Sequence, residues 1–367
     1  MKAVLVHLIA PKNDKTDDSQ NLAEMQGLMQ TFGAFEAYRV VQKRDYPDKE
    51  NYIGKGKAQE IVEIIKSEKI DAVIISDQIK AGQLFNLTQL FRNAVGREIL
   101  VWDRIMLILR IFEKHAATAE AKLQIELAHM QHMGPRMYGL GGTFFSRQGG
   151  GIGTRGIGET NIELMKRHWA REIKKTTDKL QKLELQRQKQ LNSRKERGLP
   201  TVAIVGYTNA GKTTLFNALT RKEKYVQDEL FATLDAVSGK LYLPQLQKEI
   251  LLTDTIGFIQ NLPPRLIQAF KSTLLESIHA DVILHVIDIS DPHLHAHIQT
   301  VDQILDDLHT QHIKKIYVFN KIDSLDPQAA ESLISQYSNH NTVTVSAAQK
   351  TNLPALIEVI SNALEYH

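Results

Sequence analysis

The chain has 367 residues, 43% hydrophobic and 24% charged, with a net charge of +3. That suits a folded protein of two or three domains, and the charge is too small by itself to name a nucleic-acid partner. There is no cysteine, which excludes disulfides and thiolate metal sites. The apolar run Ala3–Val6 is too short for a signal peptide, and no stretch reaches the roughly 18 apolar residues of a membrane span. The expectation is a cytoplasmic monomer with no membrane partner.

The first hundred residues alternate strand-like and helix-like patterns. Ala3–Val6, Ala37–Val41, Ala72–Ile75 and Glu98–Trp102 read as strands, and Leu22–Met29, Gly56–Lys66 and Leu84–Phe91 as helices. Ala72-Val73-Ile74-Ile75 is a continuous apolar run, as in a strand covered on both faces. The alternation predicts an α/β domain with a parallel sheet over residues 1–103. It carries no motif for chemistry. Tyr52-Ile53-Gly54-Lys55-Gly56-Lys57 lacks the spacing of a phosphate loop and reads as a turn before a helix.

Residues 104–198 predict a long antiparallel helical hairpin. Ile105, Ile108, Phe112, Ala116, Ala119, Leu123, Leu127 and Met130 step by three and four, so they share one face of a single helix. Ile162, Met165, Trp169, Ile173, Leu180 and Leu183 form the stripe of the second helix. Between Glu159 and Gly198 that helix has twelve Lys or Arg against six Asp or Glu, which reads either as a solvated face or as a nucleic-acid contact. The intervening loop, 134–158, holds ten of the 21 glycines and no acid. It also holds Arg136, Arg147 and Arg155 with Tyr138, Phe144 and Phe145. Arginine pairs with phosphate, and arginine and aromatic rings stack on unpaired bases. Those three arginines are therefore candidate RNA contacts at a glycine-rich tip, with a plain linker as the alternative.

Gly198-Leu199-Pro200 marks the boundary of a third domain, 199–367. The strand Thr201–Val205 runs into Gly206-Tyr207-Thr208-Asn209-Ala210-Gly211-Lys212-Thr213, followed by Thr214 and a helical pattern. This is the full G-x-x-x-x-G-K-[ST] loop in the strand–loop–helix setting that it requires. Its backbone N–H groups and the helix N-terminus attract phosphate. Lys212 neutralises β/γ oxygens, and the Thr213 hydroxyl is a Mg²⁺ ligand. A strand at Leu251–Asp254 delivers Asp254-Thr255-Ile256-Gly257, a D-x-x-G motif in which Asp254 holds Mg²⁺ through water and the Gly257 N–H meets the γ-phosphate. Between these motifs, Phe231-Ala232-Thr233-Leu234-Asp235 supplies Thr233 as the second Mg²⁺ hydroxyl of a switch. A strand at Lys315–Phe319 leads into Asn320-Lys321-Ile322-Asp323, an N-K-x-D motif. The Asp323 carboxylate accepts both the ring N1–H and the exocyclic amine of guanine, which adenine does not offer. Ser346-Ala347-Ala348 after the last strand brings backbone to the guanine carbonyl oxygen. The ordered set points to a P-loop GTPase that binds GTP and GDP.

The phosphate loop through Asn217, the Phe231–Asp235 switch and Asp254-Thr255-Ile256-Gly257-Phe258 resemble the HflX family of translational GTPases. The segment Arg147–Thr160 resembles it too, as do Tyr52–Lys57 and Lys122–Ala128, so the similarity spans nearly the whole chain. Ile157 stands where that family commonly has proline. The resemblance implies a factor that binds the large ribosomal subunit and its RNA in the GTP-bound form and splits stalled or idle ribosomes. It places the hairpin tip toward the peptidyl transferase region. A GTPase of ribosome assembly or of another RNA-related process is the alternative.

Many GTPases have glutamine just after D-x-x-G to orient the attacking water. Here the residue is Phe258, which predicts slow intrinsic hydrolysis and stimulation by a partner. Asn209 reads either as a loop-turn residue or as a ligand that holds K⁺ beside the phosphates.

Overall fold

A computed structural model describes residues 1–9, 15–147, 155–220, 230–231, 237–255, 257–260, 266, 274 and 278–365. The chain divides into two compact units. One comprises 1–114 with 123–180, the other 115–122 with 181–367.

The first unit opens on β1 (Lys2–Ile9), α1 (Lys15–Phe32), β2 (Phe35–Lys43), α2 (Lys55–Ser67), β3 (Ala72–Ile75), α3 (Ala81–Val95) and β4 (Leu100–Asp103). The strands form a parallel sheet in the order β2-β1-β3-β4. All four residues of β3 are buried, as its unbroken apolar run requires. α2 buries Ala58, Ile61, Val62 and Ile65 against the sheet, and α3 buries Leu87 and Phe91. At the end of β4 the Asp103 carboxylate accepts from the Met106 N–H at 2.9 Å, which caps α4 (Arg104–His115).

The expected single helix through Ile105–Met130 is two helices, α4 and α5 (Ala119–Arg147). Thr118 is the cause. Its hydroxyl accepts from the Ala121 N–H at 3.1 Å, and its carbonyl from the Lys122 N–H at 3.1 Å, so it starts a new helix. The period of three and four persists across the break, which is why periodicity alone missed it.

The expected loop over 134–158 is also corrected. α5 continues to Arg147, and α6 (Arg155–Glu196) begins before Glu159. Met130, Met133, Met137, Leu140 and Phe144 recur at steps of three and four, so an apolar stripe runs on through the glycines. Intrinsic propensity is a weak prior beside such a stripe. Residues 148–154 lie outside the described residues. Glu120, at the start of α5, pairs with Arg187, late in α6, at 3.2 Å, as antiparallel helices allow.

The second unit continues through β5 (Thr201–Gly206), α7 (Lys212–Thr220), β6 (Val237–Leu243), β7 (Lys248–Asp254), β8 (Val282–Asp288), α8 (Leu294–Asp307), β9 (Lys314–Asn320), the 3-10 turn Ile322–Ser324, α9 (Pro327–Ser335), β10 (Asn341–Thr344) and α10 (Leu353–Glu365). Its sheet has the order β10-β9-β8-β5-β7-β6, parallel except for β6 at one edge. β6 was not expected. It alternates buried and exposed residues and pairs antiparallel with β7. β5 is buried along its whole length between β7 and β8. α8 buries Leu294, Ile298, Val301 and Leu305, an i, i+4, i+7, i+11 stripe. Asp326 caps α9 by accepting from the Gln328 N–H, with Pro327 at the first helical position. The parallel order brings the C-terminal ends of β5, β7, β8, β9 and β10 to one edge of the sheet, and the loops that leave this edge carry the motifs.

Candidate nucleotide site

The phosphate loop begins where β5 ends and α7 begins, so the first amides of α7 face the same space as the loop's own N–H groups. Lys212 is buried at 7% exposure. Its ammonium donates to the Tyr207 carbonyl at 2.6 Å. Burial pulls the lysine down to about 8, against the opposing pull of the Asp254 carboxylate, and Lys321 lowers it further. The Thr213 hydroxyl donates to Asp254 Oδ2 at 3.0 Å, with Asp254 buried at the end of β7. A hydroxyl and a carboxylate oxygen side by side at the mouth of the loop are the hard donors that Mg²⁺ takes, so the residues present fit that ion. Thr208 has a buried hydroxyl with no hydrogen-bond partner among the described residues, and a ligand oxygen would satisfy it.

The segment after D-x-x-G lies along the start of the loop. The Phe258 N–H donates to the Gly206 carbonyl at 3.1 Å, and the Thr208 N–H to the Phe258 carbonyl at 2.7 Å. Gly257 is forced by close approach. A Cβ there would come within 2.9 Å of Thr208 Cγ2 and 3.0 Å of Lys212 Nζ. The Phe258 side chain is buried at 2% exposure. Thr255 anchors this strand end by donating from its hydroxyl to the Ile204 carbonyl at 2.7 Å.

The base-reading loops join the phosphate loop through Asn320. Its Nδ2 donates to the Ala210 carbonyl at 2.9 Å, and its Oδ1 accepts from the Ala347 N–H at 2.9 Å. The amide thus links three loops at the sheet edge. Lys321 adopts φ +65° and pairs with Asp288 at 2.7 Å. Asp323 lies exposed in the 3-10 turn. Ser346 is buried and pairs with Thr351, while Ala348 is exposed, so the Ser346 and Ala347 amides are engaged in the protein's own hydrogen bonds.

The structure therefore brings Gly206–Thr214, Asp254, Thr255, Gly257, Asn320, Lys321, Asp323 and Ser346–Ala348 to one edge. Phe231 is buried with φ +60°. Ala232, Thr233, Leu234, Asp235 and Ile256 lie outside the described residues. Arg136 and Arg147 fall in α5 and Arg155 in α6, with side chains outside the described part. Asn209 is exposed at φ +63°.

The sequence reading missed Asp288. Its signal was the end of β8, which lies in register with Asn320 on β9 and so adjoins Lys321. It also missed α8 as a wall of the site. A small cleft runs between Tyr207–Ala210, the end of β8 and α8, with Asp291 and His297 among its lining.

Three family models match: a GTP-binding GTPase N-terminal region over residues 19–113, a GTP-binding GTPase middle region over 115–194, and a 50S ribosome-binding GTPase over 201–321. The chain is 43% identical to the GTPase HflX of Caldanaerobacter subterraneus subsp. tengcongensis over 363 residues, 99% of this chain and 80% of that one. It is 37% identical to the GTPase HflX of Escherichia coli, covering 99% of this chain and 83% of that one. Among solved structures, it is similar to a GTP-binding protein of the archaeon Sulfolobus solfataricus in complex with GDP, at 25% identity and TM-score 0.51 over the whole of both chains. No helix among the described residues is long and apolar enough to cross a membrane. With relatives this similar over nearly its full length and the phosphate and base loops gathered at one sheet edge, the chain belongs to the HflX family of GTPases, P-loop enzymes that bind and hydrolyse GTP.

Proposed function

We propose that the site at the sheet edge hydrolyses GTP and that the GTP-bound protein acts on the ribosome in the cytoplasm, binding the large subunit and separating stalled or idle ribosomes. Residues 206–214 hold the phosphates, and Asp323 with Asn320 and Lys321 reads guanine; of Ser346–Ala348, whose first two amides bond within the protein, the exposed Ala348 is left to meet the base. Thr213, Thr233 and Asp254, the last through water, would hold Mg²⁺, which would supply neutralisation of phosphate charge. The exposed Asn209 would be the ligand of a K⁺ beside the phosphates. Lys212 and the Gly257 N–H stabilise the charge that builds on the transferring phosphoryl group. Phe258 is buried and apolar, so it does not orient the attacking water, and stimulation by a bound partner follows from that.

The lysine's burial makes a test of its role. In the free protein Lys212 titrates near 8, below its usual value, because burial disfavours the charged form. Phosphate oxygens restore the charge and raise it. Binding of GDP at pH 8.5 should then take up protons. Calorimetry in two buffers of different ionisation enthalpy measures this, and zero uptake would remove Lys212 from the phosphates.

The observation that carries the ribosome reading is a basic stripe on α6. Arg167, Arg171, Lys175 and Lys179 recur at steps of four, and all four are exposed, with Arg167 and Lys175 also paired to Glu163 and Glu172. They span about 18 Å of one helix face at 1.5 Å per residue. Such a face suits an RNA backbone, and its binding weakens steeply with salt. Support also comes from the ribosome-binding description of the family model that matches 201–321. Sucrose-gradient sedimentation of ribosomes with the protein and a non-hydrolysable GTP analogue tests the proposal. Free subunits should accumulate, with the protein on the large one. Intact ribosomes without bound protein would sink it, and selective binding to immature subunits would favour the assembly alternative.

A further inference from the structure

Tyr207 occupies a loop position whose side-chain identity the phosphate-loop pattern leaves open. Its ring stacks on His297 of α8, with centroids 3.6 Å apart and planes 11° from parallel. His297 Nδ1 lies 2.8 Å from Asp291 Oδ2, and the other oxygen of Asp291 accepts from the His293 N–H at 2.8 Å. The phenol oxygen at the far end of Tyr207 accepts from the Gln260 N–H at 2.9 Å. One side chain therefore spans from α8 across the phosphate loop to the segment that follows Gly257.

Among the described residues, three hydrogen bonds tie that segment to the loop. Two are main-chain bonds, Phe258 N–H to Gly206 and Thr208 N–H to Phe258, and they form with any side chain at 207. The third needs a hydroxyl at the end of a long, stiff ring. The third tie lies at Gln260, two residues beyond Phe258, so it extends the hold on the segment past its main-chain bonds. An offset of about 1 Å at a catalytic N–H is enough to cost rate. A tyrosine free to turn would not hold that amide in place. The stacked His297 fixes the ring plane, and the Asp291 carboxylate fixes His297.

We propose that Tyr207 is a positioning residue for GTP hydrolysis. Its hydroxyl clasps residues 258–260 to the phosphate loop so that the Gly257 N–H faces the terminal phosphate, and His297, held by Asp291, backs the clasp from α8. The inference rests on the role proposed above for Gly257.

The test is steady-state GTP hydrolysis with purified variants. Tyr207→Phe keeps the ring and the stack and removes only the hydroxyl. It should lower kcat about fivefold, or about 1 kcal/mol of transition-state stabilisation, with KM for GTP within about twofold of the parent. His297→Ala should do the same through loss of the backing, and His297→Phe, which can still stack, should recover most of the rate. In Tyr207→Phe the Gln260 amide should also exchange its hydrogen faster, whereas a merely structural role for the ring would leave that amide protected. An unchanged kcat in Tyr207→Phe, a rise in KM in place of the loss in kcat, or an equal loss in His297→Phe and His297→Ala would each overturn the proposal. Gly257→Ala separates the two levels. If it abolishes hydrolysis while Tyr207→Phe does nothing, only the clasp fails. If it leaves hydrolysis intact, the reading of Gly257 beneath it fails as well.

Discussion

Asp323→Asn should weaken GTP binding about 10³-fold and strengthen binding of xanthosine triphosphate. The carboxylate is exposed in the 3-10 turn that leaves β9, held in place by the neighbouring αL residue Lys321 and its ion pair with Asp288. In the proposed role it would accept two hydrogen bonds from the guanine edge. Charge-assisted bonds contribute about 1.5–3 kcal/mol each, and a buried donor left without its acceptor costs a similar amount. Asparagine offers one acceptor and one donor, so its NH₂ meets the guanine amine donor to donor. Xanthine carries a carbonyl at that position and turns the mismatch into a bond. Equilibrium binding of fluorescent GDP, competed by GTP and xanthosine triphosphate, measures both effects. Unchanged selectivity would show that Asp323 does not read the base. A loss of both nucleotides together would instead point to a collapsed loop.

Gly211→Ala is the second large effect, and it acts on stability first. Gly211 has φ +90°, and an added Cβ would lie 2.2 Å from Asn320 Nδ2. The left-handed backbone costs a non-glycine residue about 1–3 kcal/mol. The clash then displaces the Asn320 amide, which holds the Ala210 carbonyl and the Ala347 N–H at 2.9 Å each. A buried polar group stripped of its partner costs about 1–3 kcal/mol more. The expected loss is about 3–5 kcal/mol, seen as a fall of about 10 °C in the melting temperature of the nucleotide-free protein. Nucleotide binding should fall with it, because the same amide joins the phosphate loop to the base loops. A melting temperature within 2–3 °C of the parent would show that Asn320 can move aside, and that its bridge contributes little.

The nucleotide motifs were legible in the sequence because each one is a short run at fixed spacing that follows a strand. Gly206–Thr213, Asp254–Gly257 and Asn320–Asp323 need no distant residue to be recognised, and local chemistry dictates their residue types. The strands were legible for a similar reason. Ala72–Ile75 has one composition that suits a strand covered on both faces, and the structure buries all four residues. β6 escaped because its alternating burial is that of a sheet edge, and an edge is defined only by the partner strand β7.

Helix ends were less legible than helix faces. The stripe from Ile105 to Met130 keeps its period across residues 116–118, so only the capping bonds of Thr118 show that the helix restarts there. The glycines of 134–147 argued for a loop, yet the stripe from Met130 to Phe144 runs through them, and helix is what forms. Periodicity reports which side of a helix faces apolar surroundings. It does not report where the backbone hydrogen bonds begin and end.

By itself the sequence determined the α/β class, the order of the nucleotide motifs, the absence of thiol chemistry and the apolar residue in place of a water-orienting glutamine. Tertiary structure alone decided which residues meet across the chain. Asn320 reaches Ala210, 110 residues away, because β9 and β5 flank β8 and end at the same edge. Asp288 meets Lys321 because β8 and β9 are in register there. Tyr207 meets His297 and Gln260 because α8 packs beside the phosphate loop. A motif is a local pattern of backbone and charge, so it can be read along the chain. A contact between motifs depends on strand order and register, which the packing of the whole sheet sets.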